Sequence, residues 1–135
     1  MLEATRVFSN FNLIYKQTIK HFLKLESNIT LNEISSLIDI YQHNNQSIQE
    51  IAKIGLHMID SLIYNINILK KKECINIQAN NSNIKSEINI TPAGIKIINN
   101  INKKFNKPNK QEQLKLLQNK FLEMEILLNQ IFEAK

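Results

Sequence analysis

Between residues 57 and 71 the sequence places Asp60, Tyr64, Asn67 and Lys71 at spacings of four, three and four, with His57 and Ser61 flanking them. At ~100° per residue these side chains share the face of a helix opposite Leu62. Their chemistry is hydrogen bonding and charge neutralisation. Asn67 can form a bidentate pair with an adenine edge, Tyr64 and Ser61 can reach a phosphate or a thymine methyl, and Lys71 can neutralise a phosphate. Asp60 is the acid of the set. The helix dipole favours it in a first turn, and it can also accept from a cytosine amino group or pair with His57 or Lys53.

The residues that could make or break bonds do not converge. His21, His43 and His57 lie in three separate segments with no closely spaced carboxylate or thiol, so neither a metal site nor an acid–base pair is indicated. Glu123 and Glu125 sit two apart on one helix and point away from each other. Cys74 is the only cysteine, which excludes an internal disulfide and a multi-thiolate zinc site. Beside Lys70, Lys71 and Lys72 its thiol would ionise readily if exposed, the condition for a redox sensor. No enzyme activity and no cofactor is expected.

Charge points to a partner. The chain of 135 residues carries 17 Lys plus Arg against 12 Asp plus Glu, a net of +5. Residues 61–110 hold nine lysines against Glu73 and Glu87, a net of +7, and the remaining residues carry −2. A basic excess confined to one stretch suits a polyanion. With only two glycines and two prolines the chain lacks the turns of an all-β sandwich and the Gly-rich loop of a nucleotide enzyme. One mostly helical domain is expected. There is no secretory pattern and no apolar run near the ~18 residues of a membrane span, so a cytoplasmic location is expected.

The elements that must carry these residues follow from periodicity. Val7, Phe11, Ile14, Thr18, Phe22 and Leu25, widened by Phe8, Tyr15 and Ile19, predict a first helix over 2–25 with a broad apolar face. Thr30 and Glu33 form a capping box that opens a second helix over 31–42, with Ile34, Leu37, Ile38 and Tyr41 inward. Ser47 and Glu50 repeat the box before a short third helix over 48–54, which Gly55 can end as a left-handed cap. The fourth helix, 58–72, turns Met58, Ile59, Leu62, Ile66 and Leu69 inward. Alternation at Ile75, Ile77 and Ala79, and again from Ile84 to Ile90, predicts a β-hairpin turning at 80–83. Thr91 and Pro92 open a fifth helix with Ile95, Ile98 and Ile101 inward. The last helix, 111–134, sets Leu114, Leu117, Phe121, Met124, Leu128 and Ile131 in a heptad seam suited to a partner helix.

Helices followed by a short helix, a longer helix and a hairpin is the order of a winged helix-turn-helix. The stretch from Thr30 to Ile101 resembles the MarR/SarA-type bacterial transcription regulators. The likeness rests on Ile29-Thr30-Leu31-Asn32-Glu33, Tyr41-Gln42-His43 and Ser47-Ile48-Gln49-Glu50-Ile51-Ala52-Lys53. It continues with Leu69-Lys70-Lys71-Lys72-Glu73-Cys74-Ile75, which looks like the family's Leu-x-Lys-Lys-x-Leu-Ile lead into the wing. Ile88-Asn89-Ile90-Thr91-Pro92-Ala93-Gly94 looks like its Leu-Thr-x-x-Gly exit.

The resemblance implies a mainly α fold with a small β-hairpin wing. Its winged helix-turn-helix lobe (30–104) would be flanked by dimerisation helices (1–29 and 105–135). It further implies a homodimeric transcription regulator that reads pseudo-palindromic double-stranded DNA through helix 58–72 and wing 75–90. A small effector would sit in a Phe- and Ile-lined cleft between the dimerisation helices and the lobe. Val7, Phe11, Ile14, Leu114, Leu117, Phe121, Met124, Leu128 and Ile131 would form the dimer interface. Ser47 and Gln49, with the first N–H groups of the third helix, would clamp a phosphate, and Lys70, Lys71, Lys72, Lys85, Asn81 and Asn83 would meet the backbone. Two departures qualify this. The family's wing carries an Asp-x-Arg pair, whose places here hold Ser82 and Ile84, and Arg6 is the only arginine in the chain. The recognition helix also lacks the family's hydroxyl-rich start and arginine. Lysine lacks the planar fork of arginine, so weak, salt-dependent and AT-rich readout is expected. The alternative is a degenerate winged-helix dimer that acts by protein contact, as antagonist or heterodimer partner of another regulator.

Overall fold

The capping residues open the helices as their chemistry dictates. The Thr30 hydroxyl accepts from the Glu33 N–H at 3.2 Å, and the Ser47 hydroxyl accepts from the Glu50 N–H at 3.2 Å. The computed structural model describes residues 2–25, 28–55, 58–78 and 85–133. Its helices are α1 (Leu2–Leu25), α2 (Leu31–Gln42), α3 (Ile48–Ile54), α4 (Ile59–Lys71), α5 (Pro92–Lys104) and α6 (Pro108–Phe132). The strands are β1 (Gln46–Ser47), β2 (Ile75–Gln78) and β3 (Glu87–Ile90). The fold is mainly helical with a small antiparallel sheet, the winged helix-turn-helix that the sequence order predicts. Among the described residues no helix is long and apolar enough to cross a membrane.

The sheet has the order β1-β3-β2, with Ile75 opposite Ile90, Ile77 opposite Ile88 and Gln46 opposite Ile88 on the other edge. The hairpin expected from alternation is therefore joined by a third strand. Gln46 and Ser47 are polar and only two residues long, and pairing with β3 alone makes them a strand. Asn45 turns into it at φ 69°, a left-handed conformation that asparagine tolerates. The hairpin turn at 80–83, with Asn81 and Asn83, lies outside the described residues, as do Ala79 and Ile84.

The chain divides into two compact units, Met1–Asn99 and Asn100–Lys135. The core of the first is Ile29, Ile34, Leu37 and Ile40, with Ile48 and Ile51 of α3, Leu62, Ile66 and Leu69 of α4, and Ile75 and Ile88 of the sheet. Truncating any one of these to alanine costs about 2–5 kcal/mol, so this seam is what holds α4 down. In the second unit α6 has no buried residue.

Four local expectations change. On α2, Ile38 and Tyr41 are exposed, while Ile40, Glu33 and Ser36 are buried. The inward face is turned because Glu33 and Ser36 find polar partners on α4 and at its end. Met58 is the N-cap of α4 and 77% exposed, and Ile59 is also exposed, because the turn leading into the helix stays at the surface. Gly55 closes α3 at φ −83°, so no left-handed cap is needed. Finally, α6 begins at Pro108 rather than residue 111, since proline suits the first helical position.

Two backbone sites are tightly specified. Glu73 lies at φ 59° just past α4. Its N–H bonds to the Lys70 carbonyl and the Cys74 N–H to the Leu69 carbonyl, a Schellman closure whose left-handed residue is usually glycine. Gly94 packs against the strand lead-in: an added Cβ would lie 2.4 Å from the Cys74 carbonyl oxygen and 2.8 Å from Ile90 Cγ1. Replacing Glu73 with glycine is expected to stabilise the protein by about 0.5–1 kcal/mol by removing the left-handed penalty. Gly94→Ala is expected to cost about 1–3 kcal/mol, because the blocking atom is backbone. Thermal or urea unfolding of the two variants against wild type checks both signs.

Candidate nucleic-acid interface

The helix-turn-helix is built by α3 and α4, with α4 seated on α2 and its end passing into β2. Burial of Leu62, Ile66 and Leu69 turns Asp60, Ser61, Tyr64, Asn67, Lys70 and Lys71 to the surface. The structure thus brings together on one exposed face the residues whose spacing suggested base and phosphate contacts. Tyr64 is 68% exposed, an unusual setting for an aromatic ring in a monomeric surface. His57 lies outside the described residues. No ion pair joins Asp60 to Lys53 among the described residues; Asp60 lines an open groove instead.

That groove, about 530 Å³, runs between α2 and α4 and is lined by Asn32, Ser35, Asp60, Ser61, Tyr64 and Asn65. Asn32, Ser35 and Asn65 are not among the DNA-contact residues that the sequence suggests. A neighbouring cavity of about 350 Å³ takes Ile19 from α1, Leu31 and Asn32 from α2, and Tyr64 and Ile68 from α4. Its described lining includes Ile19 and Ile68 and no phenylalanine. At the start of α3, Ser47 is half-buried and used as the cap, and Gln49 is exposed. On the wing, Lys85 and Glu87 are both exposed.

Lys72 is where the site departs most from expectation. Its ammonium bonds to Glu33 Oε1 at 2.7 Å and to the Asn28 carbonyl, instead of standing with Lys70 and Lys71. The Glu33 side chain is 6% exposed and that of Lys72 37%. Burial raises the pKa of the Glu33 carboxyl, but bonds from Lys72 and from the Thr30 hydroxyl and N–H, with the Lys72 charge, outweigh it and hold the group below its ordinary value. A polar residue at an inward position was the available signal: Glu33, Ser36 and Ile40 repeat at helical spacing.

Cys74 is 1% exposed and its thiol faces the Lys72 carbonyl at 3.7 Å. Burial pushes its pKa up despite the nearby Lys72 charge. The exposed, readily ionised thiol of a redox sensor is therefore not what the structure holds.

On α1, Val7, Phe11 and Ile14 are exposed. On α6, Leu114, Leu117, Phe121 and Ile131 are exposed and Met124 and Leu128 half-buried. These are the residues expected at a dimer interface.

A helix-turn-helix with an exposed polar recognition face, a three-stranded wing and long flanking helices defines the winged-helix class. Comparison with solved structures narrows the fold to the MarR type. The chain is similar to a Staphylococcus aureus MarR in complex with salicylate and kanamycin, at 18% identity and a TM-score of 0.67, covering 98% of this chain and 91% of that one. It is similar to a MarR family transcription regulator at 12% identity and a TM-score of 0.62, covering 98% and 97%. It also matches S. aureus MepR in a MepR–DNA complex at 20% identity and a TM-score of 0.59, covering 89% and 94%. No protein-family model and no curated protein matches the sequence.

Because Glu33 has a depressed pKa, its contribution to stability is present above the ordinary value of 4.5 and is lost as pH falls through the lower folded value. The thermal midpoint of wild type is expected to drop between about pH 7 and about pH 3 by more than that of Glu33→Gln, which has no carboxyl there to protonate. Equal drops in the two proteins would contradict the ion pair. Cys74 is expected to react with a thiol reagent only after denaturant is added, as followed by absorbance.

Proposed function

We propose that the chain is a DNA-binding transcriptional regulator whose recognition element is α4, supported on its flank by the wing. The observation that carries this reading is the exposed face of α4, where Ser61, Tyr64, Asn67 and Lys71 stand together on a helix-turn-helix. Asn67 offers the amide that pairs with adenine, and Ser61 and Tyr64 reach phosphate or a thymine methyl. Lys70 and Lys71, with Lys85 on the wing, supply positive charge to the backbone, and Ser47 and Gln49 flank a further phosphate at α3.

The protein works as a homodimer on pseudo-palindromic sites. Apolar rows this long seldom stay in water on a soluble chain, and a second copy would cover that of α1 and that of α6. Symmetry then places two copies of α4 about one helical turn of DNA apart. Without an arginine in the wing, minor-groove readout is reduced and AT-rich preference is modest. The cavity beside Tyr64 is the place for a small effector, since occupying it would bear on the recognition helix directly.

A second reading has support in Asp60, a carboxylate on the reading face that phosphates would repel. It makes the chain a winged-helix dimer that acts by protein contact, as antagonist or heterodimer partner of another regulator. Capture of a partner regulator together with absence of DNA binding would favour it.

Mobility shift and fluorescence anisotropy on the duplex upstream of the chain's own gene test the leading reading. Binding is expected at ~50 mM salt and to weaken by orders of magnitude toward ~200 mM. Tyr64→Ala and Lys71→Ala are each expected to weaken it by about tenfold. Absence of binding at low salt, or binding insensitive to salt, would overturn the reading. Sedimentation should show a dimer that Leu117→Glu dissociates.

A further inference from the structure

Two polar clamps hold one edge of the recognition helix. In the body of α4, Asn65 Nδ2 donates to Ser36 Oγ at 3.1 Å and to the Asn32 carbonyl at 3.5 Å. At its C-terminal end the Lys72 ammonium donates to Glu33 Oε1 at 2.7 Å and to the Asn28 carbonyl. Positions 65 and 72 are about two turns apart, so both clamps lie along the same edge of the helix. The acceptors on α2 are deeply buried, Ser36 at 0% exposed and Glu33 at 5%. The second Glu33 oxygen is itself held by the Thr30 hydroxyl at 2.8 Å.

The apolar seam and the clamps do different work. Burial of Leu62, Ile66 and Leu69 is non-directional and holds α4 against α2 without defining its rotation closely. Hydrogen bonds weaken steeply as their angle departs from linear, so the clamps do define it. Turning a helix by about 30° moves a side-chain tip about 6 Å from the axis by about 3 Å, a whole hydrogen-bond length. A base contact from Asn67 does not survive that displacement.

We propose that Lys72 and Asn65 are positioning residues: they set the rotation of α4 that aims Asn67 and Tyr64 at base edges, and Lys72 makes no phosphate contact. The inference deepens the DNA-binding reading and rests on it. It separates three adjacent lysines into two chemical roles, with Lys70 and Lys71 as backbone charge and Lys72 as an internal strut. Specificity then depends on Glu33 and Ser36, which lie on a helix that touches no base.

The test measures affinity and salt dependence on two probes, a duplex enriched by wild-type protein from a random pool and calf-thymus DNA. Lys72→Met, Glu33→Gln and Asn65→Ala are each expected to lower the ratio of specific to nonspecific affinity by about tenfold, the scale of one hydrogen-bonded base pairing. Nonspecific affinity and the salt slope are expected to stay as in wild type. Lys71→Met is expected to weaken both probes and to reduce the slope of log K against log salt by about 0.9 for each phosphate no longer neutralised. The double variant Glu33→Gln with Lys72→Met is expected to be no worse than either single one, because each removes the same ion pair. Lys72→Arg, which keeps charge and donor, is expected to restore most of the ratio.

A salt slope that falls in Lys72→Met as it does in Lys71→Met would overturn the assignment, as would an unchanged ratio in Glu33→Gln and Asn65→Ala. Should Lys72→Met fail to fold, those two variants decide the matter alone. Failure of wild type to enrich or bind any duplex would instead refute DNA binding itself.

Discussion

The packing of α4 on α2 is the constraint on which the rest of this structure depends. Leu62, Ile66 and Leu69 can be buried only by turning the opposite side of α4 outward, and that side carries Ser61, Tyr64, Asn67 and Lys71. The same burial delivers the end of α4 to β2 through Glu73 and Cys74, and so positions the wing. Gly94 then lets α5 start against the Cys74 carbonyl, where Thr91 both caps the helix and donates to the Glu73 carbonyl at 2.6 Å. One seam therefore turns the polar side of α4 outward and sets where the sheet begins.

Charge on this scaffold is less uniform in function than in sequence. Nine lysines fall between residues 61 and 110, and as a group they make that stretch attractive to a polyanion. Lys72 nevertheless leaves the group, drawn to a carboxylate that burial would otherwise destabilise. A buried Glu33 without Lys72 would be an uncompensated charge, and Lys72 without Glu33 would lie at the surface with its neighbours. The pair explains both placements. Lysine is a point charge without the planar fork of arginine, so a DNA complex made through such side chains would depend strongly on salt and gain less from geometry than one with an arginine-bearing wing.

The fold was legible in the chain to a large extent. Two capping boxes, the 3,4 spacing of α4, the alternation of the hairpin and the Thr91-Pro92 start of α5 are local features, each set by residues within a turn of one another. What misled was the rule that inward means apolar. It put Ile38 and Tyr41 of α2 in the core and left out Glu33 and Ser36, whose burial depends on Lys72 and Asn65 some thirty to forty positions away. It also put Met58 and Ile59 inside. The strand β1 could not be seen, because Gln46 and Ser47 are extended only through their bond partners on β3.

For the site the division is similar. Residue order and helical periodicity by themselves determined the helix-turn-helix, the exposed polar face of α4 and the basic stretch that accompanies it, because these follow from local propensity and a 3.6-residue repeat. Tertiary structure alone decided the rotation of α2, the burial of Cys74 and the inward turn of Lys72. Each of these hangs on a polar or steric partner distant in sequence, and no periodicity within one helix encodes which partner that will be.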